Sequence, residues 1–351
     1  MPETQESIFI SSLRSFFKGF FSLIGIFFAL VIFIIILSAI FLGKDTASTT
    51  TKTSLQILPD LKGNNELLSE KAPVVLQIDI HGIIGIGDSR SEIIENLLID
   101  SRKNSLKKDR VKAILLHMNT RGGAATDSDN IYRMLLEYKK KYNTPIYAFI
   151  DGINASGGVY ITSAADKIFA TPVSIVGSVG VLMGPFMNFS KTLEKIGAES
   201  VTLTEGKGKD AMNPLRPWKE NESANYKMIG DYYYNMFIDI VTKSRPKLSK
   251  EKLISTYGAQ IFPSPEAETN GYIDKSNANY SDALKELLAA ANIKEDDSYQ
   301  VMKLKPKKSF TEELFESSAL FKGKINHQIK LSNTDNEITE EFSFLYPSQT
   351  Y

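Results

Sequence analysis

The distribution of apolar residues divides the chain into one long apolar segment near the N-terminus and a region of short alternating segments. Residues 19–43 (GFFSLIGIFFALVIFIIILSAIFLG) carry no charge. About 20 apolar residues suffice for a helix to cross the hydrocarbon core of a bilayer. The apolar region of a cleaved signal peptide is shorter, at roughly 7–15 residues. The pattern predicts a retained transmembrane anchor over 19–43, preceded by a short N-terminal segment, 1–18.

The residues on either side of this anchor say little about its orientation. Arg14 and Lys18 precede the apolar segment, and Lys44 and Lys52 follow it. Because long domains translocate with little regard to charge, this distribution only slightly favours a cytoplasmic segment 1–18 with the following domain outside the cytoplasm. Residues 44–72 are rich in Thr, Ser, Lys and Asn, which predicts a solvated polar stalk.

Beyond the stalk, short β-rich segments alternate with helical ones. Strands are predicted at 74–80, 111–118, 145–150 and 168–170, and helices at 126–142 and 156–165. Such alternation predicts an α/β domain with a largely parallel sheet, whose sites lie at the carboxyl ends of the strands.

The second half of the chain is more helical. Helices are predicted at 218–245, with a Tyr-rich face typical of a core or subunit contact, and at 280–291. Two more strands are predicted at 200–204 and 299–304. We expect the folded domain to span 73–297, followed by a partly mobile C-terminal extension, 298–351.

Composition excludes several kinds of chemistry. The 41 Lys and Arg residues balance 41 Asp and Glu residues, so net charge gives no reason to expect a nucleic-acid partner. The absence of Cys excludes thiolate metal sites and a cysteine nucleophile. With only three His residues, His81, His117 and His327, we expect no multi-His metal site and no cofactor.

Two glycine pairs follow predicted strands. The first lies in 119–123 (NTRGG) and the second in 151–158 (DGINASGG), where Ser156 begins a helix. The N–H group of Gly157 could there stabilise an oxyanion beside a nucleophilic Ser156. An ordinary N-cap serine gives the same pattern, and this feature alone favours that interpretation.

A nucleophilic serine also needs a base. His81 and His117 lie within strand segments, so a Ser-His-Asp triad is poorly supported. A lysine can serve if its pKa falls from about 10.4. Lys207 and Lys209 lie in the glycine-flanked loop 204–210 (TEGKGKD), and spacing does not choose between them.

Four motifs, in order, resemble those of the bacterial signal peptide peptidase A family. They are 119–123 (NTRGG), 155–161 (ASGGVYI), 176–181 (VGSVGV) and 208–210 (GKD). The resemblance covers roughly 74–275, and 261–274 is similar to the closing motif of the family. It implies a membrane-anchored Ser/Lys peptidase with a Clp-protease and crotonase-like fold of repeated strand-strand-helix units.

The resemblance also implies roles for individual residues. Ser156 corresponds to the nucleophile, Lys209 to the general base, and Ser178 to the serine that holds the lysine. The oxyanion hole corresponds to backbone N–H groups of Gly122, Gly123 and Gly157. Arg121 replaces the usual proline of the first motif, so the rigid φ at that turn is lost.

The family context implies the setting of the reaction. The expected substrates are signal peptide remnants and similar extended apolar peptides. They would be cut at a bacterial inner (cytoplasmic) membrane, where the anchor contacts the membrane lipid. A homo-oligomer in which one subunit supplies the lysine to the next is also implied. Two alternatives stay open: an inactive membrane scaffold, and a crotonase-like acyl-CoA enzyme with Asp151 or Asp166 as its acid.

Overall fold

The computed structural model describes residues 8–42 and 53–306. Within these ranges the strands are β1 (Thr53–Leu58), β2 (Val74–Ile84), β3 (Val111–Gly123), β4 (Ile146–Ala155), β5 (Lys167–Ala170), β6 (Ile175–Gly177), β7 (Ile261–Pro263) and β8 (Gln300–Pro306). The α-helices are α1 (Ile8–Leu42), α2 (Ser91–Asp100), α3 (Ala125–Tyr142), α4 (Gly157–Thr162), α5 (Ser190–Lys195), α6 (Ala224–Ser244), α7 (Lys250–Lys252), α8 (Ser264–Asn270) and α9 (Tyr280–Ala290). Two 3-10 turns (Gly87–Ser89 and Asn104–Leu106) and a π-helical turn (Leu253–Tyr257) complete the elements of this part of the chain.

The strands form one sheet in the order β1-β8-β2-β3-β4-β6-β7, with β5 also paired to β4. Strands β8, β2, β3, β4, β5 and β6 are parallel to their neighbours in this group, while β1 and β7 are antiparallel at the two edges. Because helices connect the parallel strands, the predicted α/β class is confirmed.

Alternation along the central strands gives the sheet two buried faces. On β3, Ile114 and Leu116 belong to the core that contains residues of α2, α3, α4 and α6, whereas Leu115 faces a second core built with α9. A parallel sheet covered on both faces explains the nearly continuous apolar segments in the sequence. The face beneath α4 is called the α4 face below, and the other the α9 face.

The sheet includes strands that lie outside 73–297, the range predicted for the folded domain. Strand β1 lies within the segment expected as a polar stalk, and its Leu55 and Ile57 pair with β8. Strand β8, predicted at 299–304, lies within the expected C-terminal extension and pairs in parallel with β2. Sheet strands therefore lie on both sides of 73–297; residues 43–52 and 307–351 lie outside the described residues.

The strand predicted over 200–204 is wrong. These residues form no strand, and the side chains of Val201 and Leu203 are 82% and 92% exposed. Local β-propensity favours a strand only when a partner strand and a packing surface are present. The region between β6 and α6 instead contains α5 and long connecting segments.

Helix α1 covers residues 19–42 of the predicted anchor and begins before it. Its segment Leu13–Ile34 has a mean hydropathy of 2.4 and is long and apolar enough to cross a membrane. The side chains described in this segment lie almost entirely exposed on the protein, as expected of a helix that packs against lipid rather than against a protein core.

Candidate active site

Ser156 lies in a strained turn between β4 and α4. Its backbone has φ 54° and ψ −118°, and its side chain makes no capping hydrogen bond to the helix. A non-glycine residue with positive φ is uncommon and costs about 1–3 kcal/mol unless the surroundings hold it. The hydroxyl is thus not used as an N-cap, which removes the ordinary structural explanation for this serine.

Neighbouring backbone holds this turn in place. The Ser156 N–H donates to the carbonyl of Gly177 at 2.9 Å, and the Tyr160 N–H donates to the carbonyl of Ser156 at 3.2 Å. Ser178, the next residue after Gly177, also has positive φ (60°), and its N–H donates to the Gln260 carbonyl at 2.7 Å. A backbone hydrogen bond therefore joins the predicted motif around Ser156 to the one around Ser178.

The two glycine pairs meet at Ser156. A Cβ on Gly122 would lie 2.7 Å from the Ser156 Cβ and 2.9 Å from the Gly157 nitrogen, and Gly122 has φ +94°. A Cβ on Gly123 would collide with the backbone of Ile84 on β2. The close approach of β3 to Ser156 therefore requires glycine at position 122, and its packing against β2 requires glycine at position 123.

The three predicted oxyanion donors differ in their surroundings. The Gly122 N–H already donates to the Thr120 hydroxyl oxygen at 3.1 Å. Gly122 therefore lets β3 approach Ser156 closely, but its N–H is not a free donor for an oxyanion. Gly123 is exposed at the end of β3. Gly157 is the first residue of α4, and a first-turn N–H has no partner within its own helix.

Buried polar side chains lie at the ends of β3 and β4, next to the Ser156 turn. Asn154 and Thr120 are fully buried, and the Asn154 amide donates to the Thr162 hydroxyl at 3.1 Å. Asn119 accepts a hydrogen bond from the Ile153 N–H at 3.2 Å. Asn119 and Thr120 belong to the first glycine motif, so that motif also ties the ends of β3 and β4 together. Arg121, the next residue on β3, is exposed.

A cleft of about 690 Å³ opens beside Ser156. Its walls are largely apolar or aromatic and include Leu182, Tyr160, Tyr232, Tyr233, Met236 and Phe237. On the polar side, Asp129 accepts hydrogen bonds from the Tyr160 hydroxyl and from Arg133 Nε, both at 2.7 Å. Burial, together with the bond to Asp129, raises the pKa of Tyr160 above its ordinary value. The cleft suits an extended apolar chain.

Lys209 lies in the segment between α5 and α6. It is exposed, follows a turn with Gly206 and Gly208 at positive φ, and is not among the described residues that line the Ser156 cleft. Ser178 does not line that cleft either, within the described part of the chain. The structure thus brings Ser156 together with the glycines, whereas Lys209 is outside the described lining of the cleft.

Arg216 anchors the loop that carries Lys209, and sequence reasoning did not single it out. It donates from Nε to the Asp210 carboxylate at 2.7 Å and from Nη2 to the Asp210 carbonyl at 2.8 Å. It also forms an ion pair with Glu222. Its bonds lower the pKa of Glu222 to about 2 and lower that of Asp210. An Arg six residues after an Asp in a loop gives no recognisable sequence signal.

A second polar cluster was also missed by sequence reasoning. On the α9 face, the His117 Nε2 lies 2.7 Å from Asp151 Oδ2, and His117 is opposite Asp79 in the β2–β3 register. Burial alone would lower the pKa of His117, but the two carboxylates raise it above its ordinary value. The alternation of polar residues in 77–81 (QIDIH) was a signal for such a cluster.

Comparison with known proteins gives matches over the part of the chain that contains Ser156 and Lys209. Residues 138–294 match the family model described as peptidase family S49. A protein of Enterococcus faecium named as a signal peptide peptidase SppA is 30% identical over 256 residues, covering 68% of this chain and 72% of that protein. Protease 4 of Haemophilus influenzae is 30% identical over 230 residues, covering 64% of this chain and 36% of that protein. A point mutant of ClpP1 from Listeria monocytogenes aligns with a TM-score of 0.37 and 17% identity, over 60% of this chain and 94% of its own.

The range matched by the peptidase model contains Ser156, Ser178 and Lys209. The relation to the Enterococcus protein extends over more than two thirds of both chains. The α/β sheet with its parallel centre agrees with the Clp-protease-like fold that the resemblance implied. This chain belongs to the signal peptide peptidase A family within peptidase family S49.

Proposed function

We propose that this peptidase-family protein is a membrane-tethered serine endopeptidase that uses Ser156 as nucleophile and Lys209 as general base. The observation that carries the proposal is the strained turn at Ser156. This turn presents an uncapped serine beside the two glycine pairs and an apolar cleft of about 690 Å³. Helix α1, apolar over Leu13–Ile34, would hold the domain at the bacterial inner membrane.

The proposed reaction follows from these groups. Neutral Lys209 Nζ takes the proton from Ser156 Oγ, and Oγ attacks the peptide carbonyl carbon. The N–H groups of Gly123 and Gly157 stabilise the resulting oxyanion. The C–N bond breaks as the departing amine takes the proton from Lys209, and a water molecule, deprotonated by the same lysine, then hydrolyses the acyl-enzyme. Ser178 would help to hold the lysine.

We further propose that Lys209 acts on Ser156 of a neighbouring copy of the chain. This accounts for the absence of Lys209 from the described lining of the Ser156 cleft, and for its exposed loop. Exposed apolar side chains, Val201 and Leu203 just before this loop and Leu182 at the Ser156 cleft, are suited to an interface between copies. The expected substrates are signal peptide remnants and similar extended apolar peptides, which the aromatic walls of the cleft favour.

The acyl-CoA alternative loses support. Asp151 points to the α9 face and contacts His117, while Asp166 pairs with Lys139 at 2.5 Å and accepts a hydrogen bond from the Ile146 N–H. Among the described residues neither carboxylate lines the Ser156 cleft. A crotonase-like enzyme would need a catalytic acid there. The inactive scaffold stays an alternative that the experiment below separates.

The test is labelling of the full-length chain in detergent with a fluorophosphonate, a probe that reacts with activated serines. We expect wild-type labelling that rises between about pH 6 and about pH 10, because only a neutral lysine accepts the serine proton and an ordinary lysine becomes neutral near about pH 10.4. Ser156→Ala and Lys209→Ala should each abolish it. Lys207→Ala, in the same loop, is the matched control and should label like wild type.

Mixing the two inactive variants tests whether the lysine acts between subunits. Co-expressed Ser156→Ala and Lys209→Ala chains can form a site with Ser156 from one copy and Lys209 from another. We expect such mixtures to regain labelling, on the Lys209→Ala chain only. Labelling that survives loss of Ser156 would exclude the proposed nucleophile, and an assembled, folded wild type that never labels would favour the scaffold.

A further inference from the structure

A cluster of metal-ligand side chains lies on the α9 face of the sheet, away from α4. Asp79 and His81 come from β2, and His117 comes from β3. The potential donor atoms of these three side chains lie within 4.8 Å of one another. The His81 and His117 rings are 4.7 Å apart, and His117 stacks on Phe149, which belongs to the core beneath α9.

His117 is oriented as a metal-binding histidine would be. Its Nε2 lies 2.7 Å from Asp151 Oδ2, and this hydrogen bond assigns the ring proton to Nε2. Its Nδ1 is buried, has no hydrogen-bond partner in the described structure, and lies 3.7 Å from Asp79 Oδ1. Ligating histidines almost always donate their second N–H to a carboxylate or carbonyl, which fixes the ring and its tautomer. An unpartnered Nδ1 that faces a carboxylate and a second imidazole is thus a ligand position.

We propose that Asp79, His81 and His117 bind a divalent transition-metal ion of the zinc type, with Asp151 orienting His117. Two imidazoles and one carboxylate form a donor set that such ions favour over Mg²⁺ or Ca²⁺, and three protein ligands leave one position open. In a tetrahedral site, ligands held about 2.1 Å from an ion lie about 3.4 Å from one another. The donor atoms, now within 4.8 Å of one another, would therefore close by up to about 1.4 Å. His81 is exposed, which leaves its side chain room to move.

Lys303 on β8 makes a specific prediction possible. Its ammonium group forms an ion pair with Asp79, whose Oδ1 also accepts a hydrogen bond from Gln77 Nε2 at 2.7 Å. Each carboxylate oxygen keeps a second lone pair for an ion. The lysine charge nevertheless opposes a cation at this distance, so its removal in Lys303→Met should strengthen metal binding.

The experiment uses the full-length chain in detergent, first treated with a chelator. Zn²⁺ is titrated by calorimetry, and Co²⁺ is titrated by its visible absorption, which reports ligand geometry directly. We expect one equivalent of either metal to bind. His81→Asn and His117→Asn should each weaken binding at least tenfold, and Asp151→Asn should weaken it by about 10- to 100-fold, as loss of an orienting carboxylate does.

Two variants serve as controls. His327→Asn removes the third histidine, which lies outside the described residues, and should bind like wild type. Ser156→Ala should also bind like wild type, so the metal proposal stands or falls independently of the peptidase proposal. Circular dichroism of each variant checks that it folds. If His117→Asn does not fold, His81→Asn still tests the site, because it changes an exposed side chain.

Several results would overturn the proposal. One is the absence of saturable Zn²⁺ and Co²⁺ binding to the wild-type chain. Another is binding that persists in both His81→Asn and His117→Asn, or that disappears in His327→Asn, because the ion would then lie elsewhere. Weaker binding in Lys303→Met would contradict the placement of the ion beside Asp79.

Discussion

Replacing Gly122 by alanine tests whether close contact between the glycine pairs shapes Ser156, the proposed nucleophile. The added Cβ would lie 2.7 Å from the Ser156 Cβ and 2.9 Å from the Ala155 carbonyl oxygen, whereas ordinary contacts begin at 3.4 Å. The end of β3 and the Ser156 turn would therefore have to separate by about 0.7 Å. Because Gly122 also has φ +94°, any other residue adds a backbone cost of about 1–2 kcal/mol.

The expected losses of reactivity and of stability are similar in free energy, since each tenfold change in rate corresponds to about 1.4 kcal/mol. A misplacement of about 1 Å in an active site can cost about 100-fold in rate. We expect Gly122→Ala to lower the rate of fluorophosphonate labelling about 30- to 100-fold. The free energy of unfolding should fall by only a few kcal/mol, because the fold can absorb the shift at the exposed end of β3.

Gly63→Ala is the matched control for this experiment. Gly63 has φ +84°, close to that of Gly122, but a Cβ there would meet no atom within 4 Å. It carries the backbone cost without the collision. Labelling rate and thermal unfolding are measured for both variants in the same detergent. Equal labelling rates in the two variants would refute the reasoning, because the contact with Ser156 would then have no influence on its reactivity.

Three further predictions concern the loop that carries Lys209 and the core. Arg216→Ala removes the anchor of Asp210, so labelling should fall about tenfold, as expected for a misplaced base, with thermal unfolding nearly unchanged; wild-type labelling would contradict this. Glu222 has its pKa lowered from 4.5 to about 2. The stabilisation from its ion pair is therefore complete above pH 4.5 and is lost as the pH falls through about 2. After correction for intrinsic exchange rates, amide exchange of the loop should be constant from about pH 5 to about pH 8 and should increase towards about pH 2. Leu116 is fully buried in β3, and Leu116→Ala should lower the free energy of unfolding in urea by about 2–5 kcal/mol; a loss below 1 kcal/mol would contradict its place in the core.

The central strands were predictable because their signals are local. Strands β2 and β3 begin at the predicted residues 74 and 111, where apolar segments follow polar ones. Both continue further than predicted, to Ile84 and Gly123, since the first glycine motif itself pairs with β2. Glycines usually indicate a turn, but here the parallel partner strand extends the ladder through them.

Features that depend on distant partners were not predictable in the same way. Strand β1 lies in a segment whose Thr and Lys content favours a stalk, and its partner β8 is more than 240 residues away in the sequence. The strand expected at 200–204 has the local propensity but no partner. The cluster at His117 depends on the register of β2 and β3, which places Asp79 opposite it, although each histidine alone is typical of a core residue.

The proposed site combines a serine held in a strained turn with a lysine on an exposed loop, and this difference has a physical reason. Ser156 is held by a backbone hydrogen bond to Gly177, in a turn that follows buried Asn154. A strained φ persists only where its surroundings enforce it. Lys209 needs no strain, but it must reach a serine, and its loop is anchored through Asp210 and not through the core. If neighbouring copies complete the site, as we propose, each isolated chain carries an oriented serine without its base. Proteolysis would then be confined to the assembled protein at the membrane.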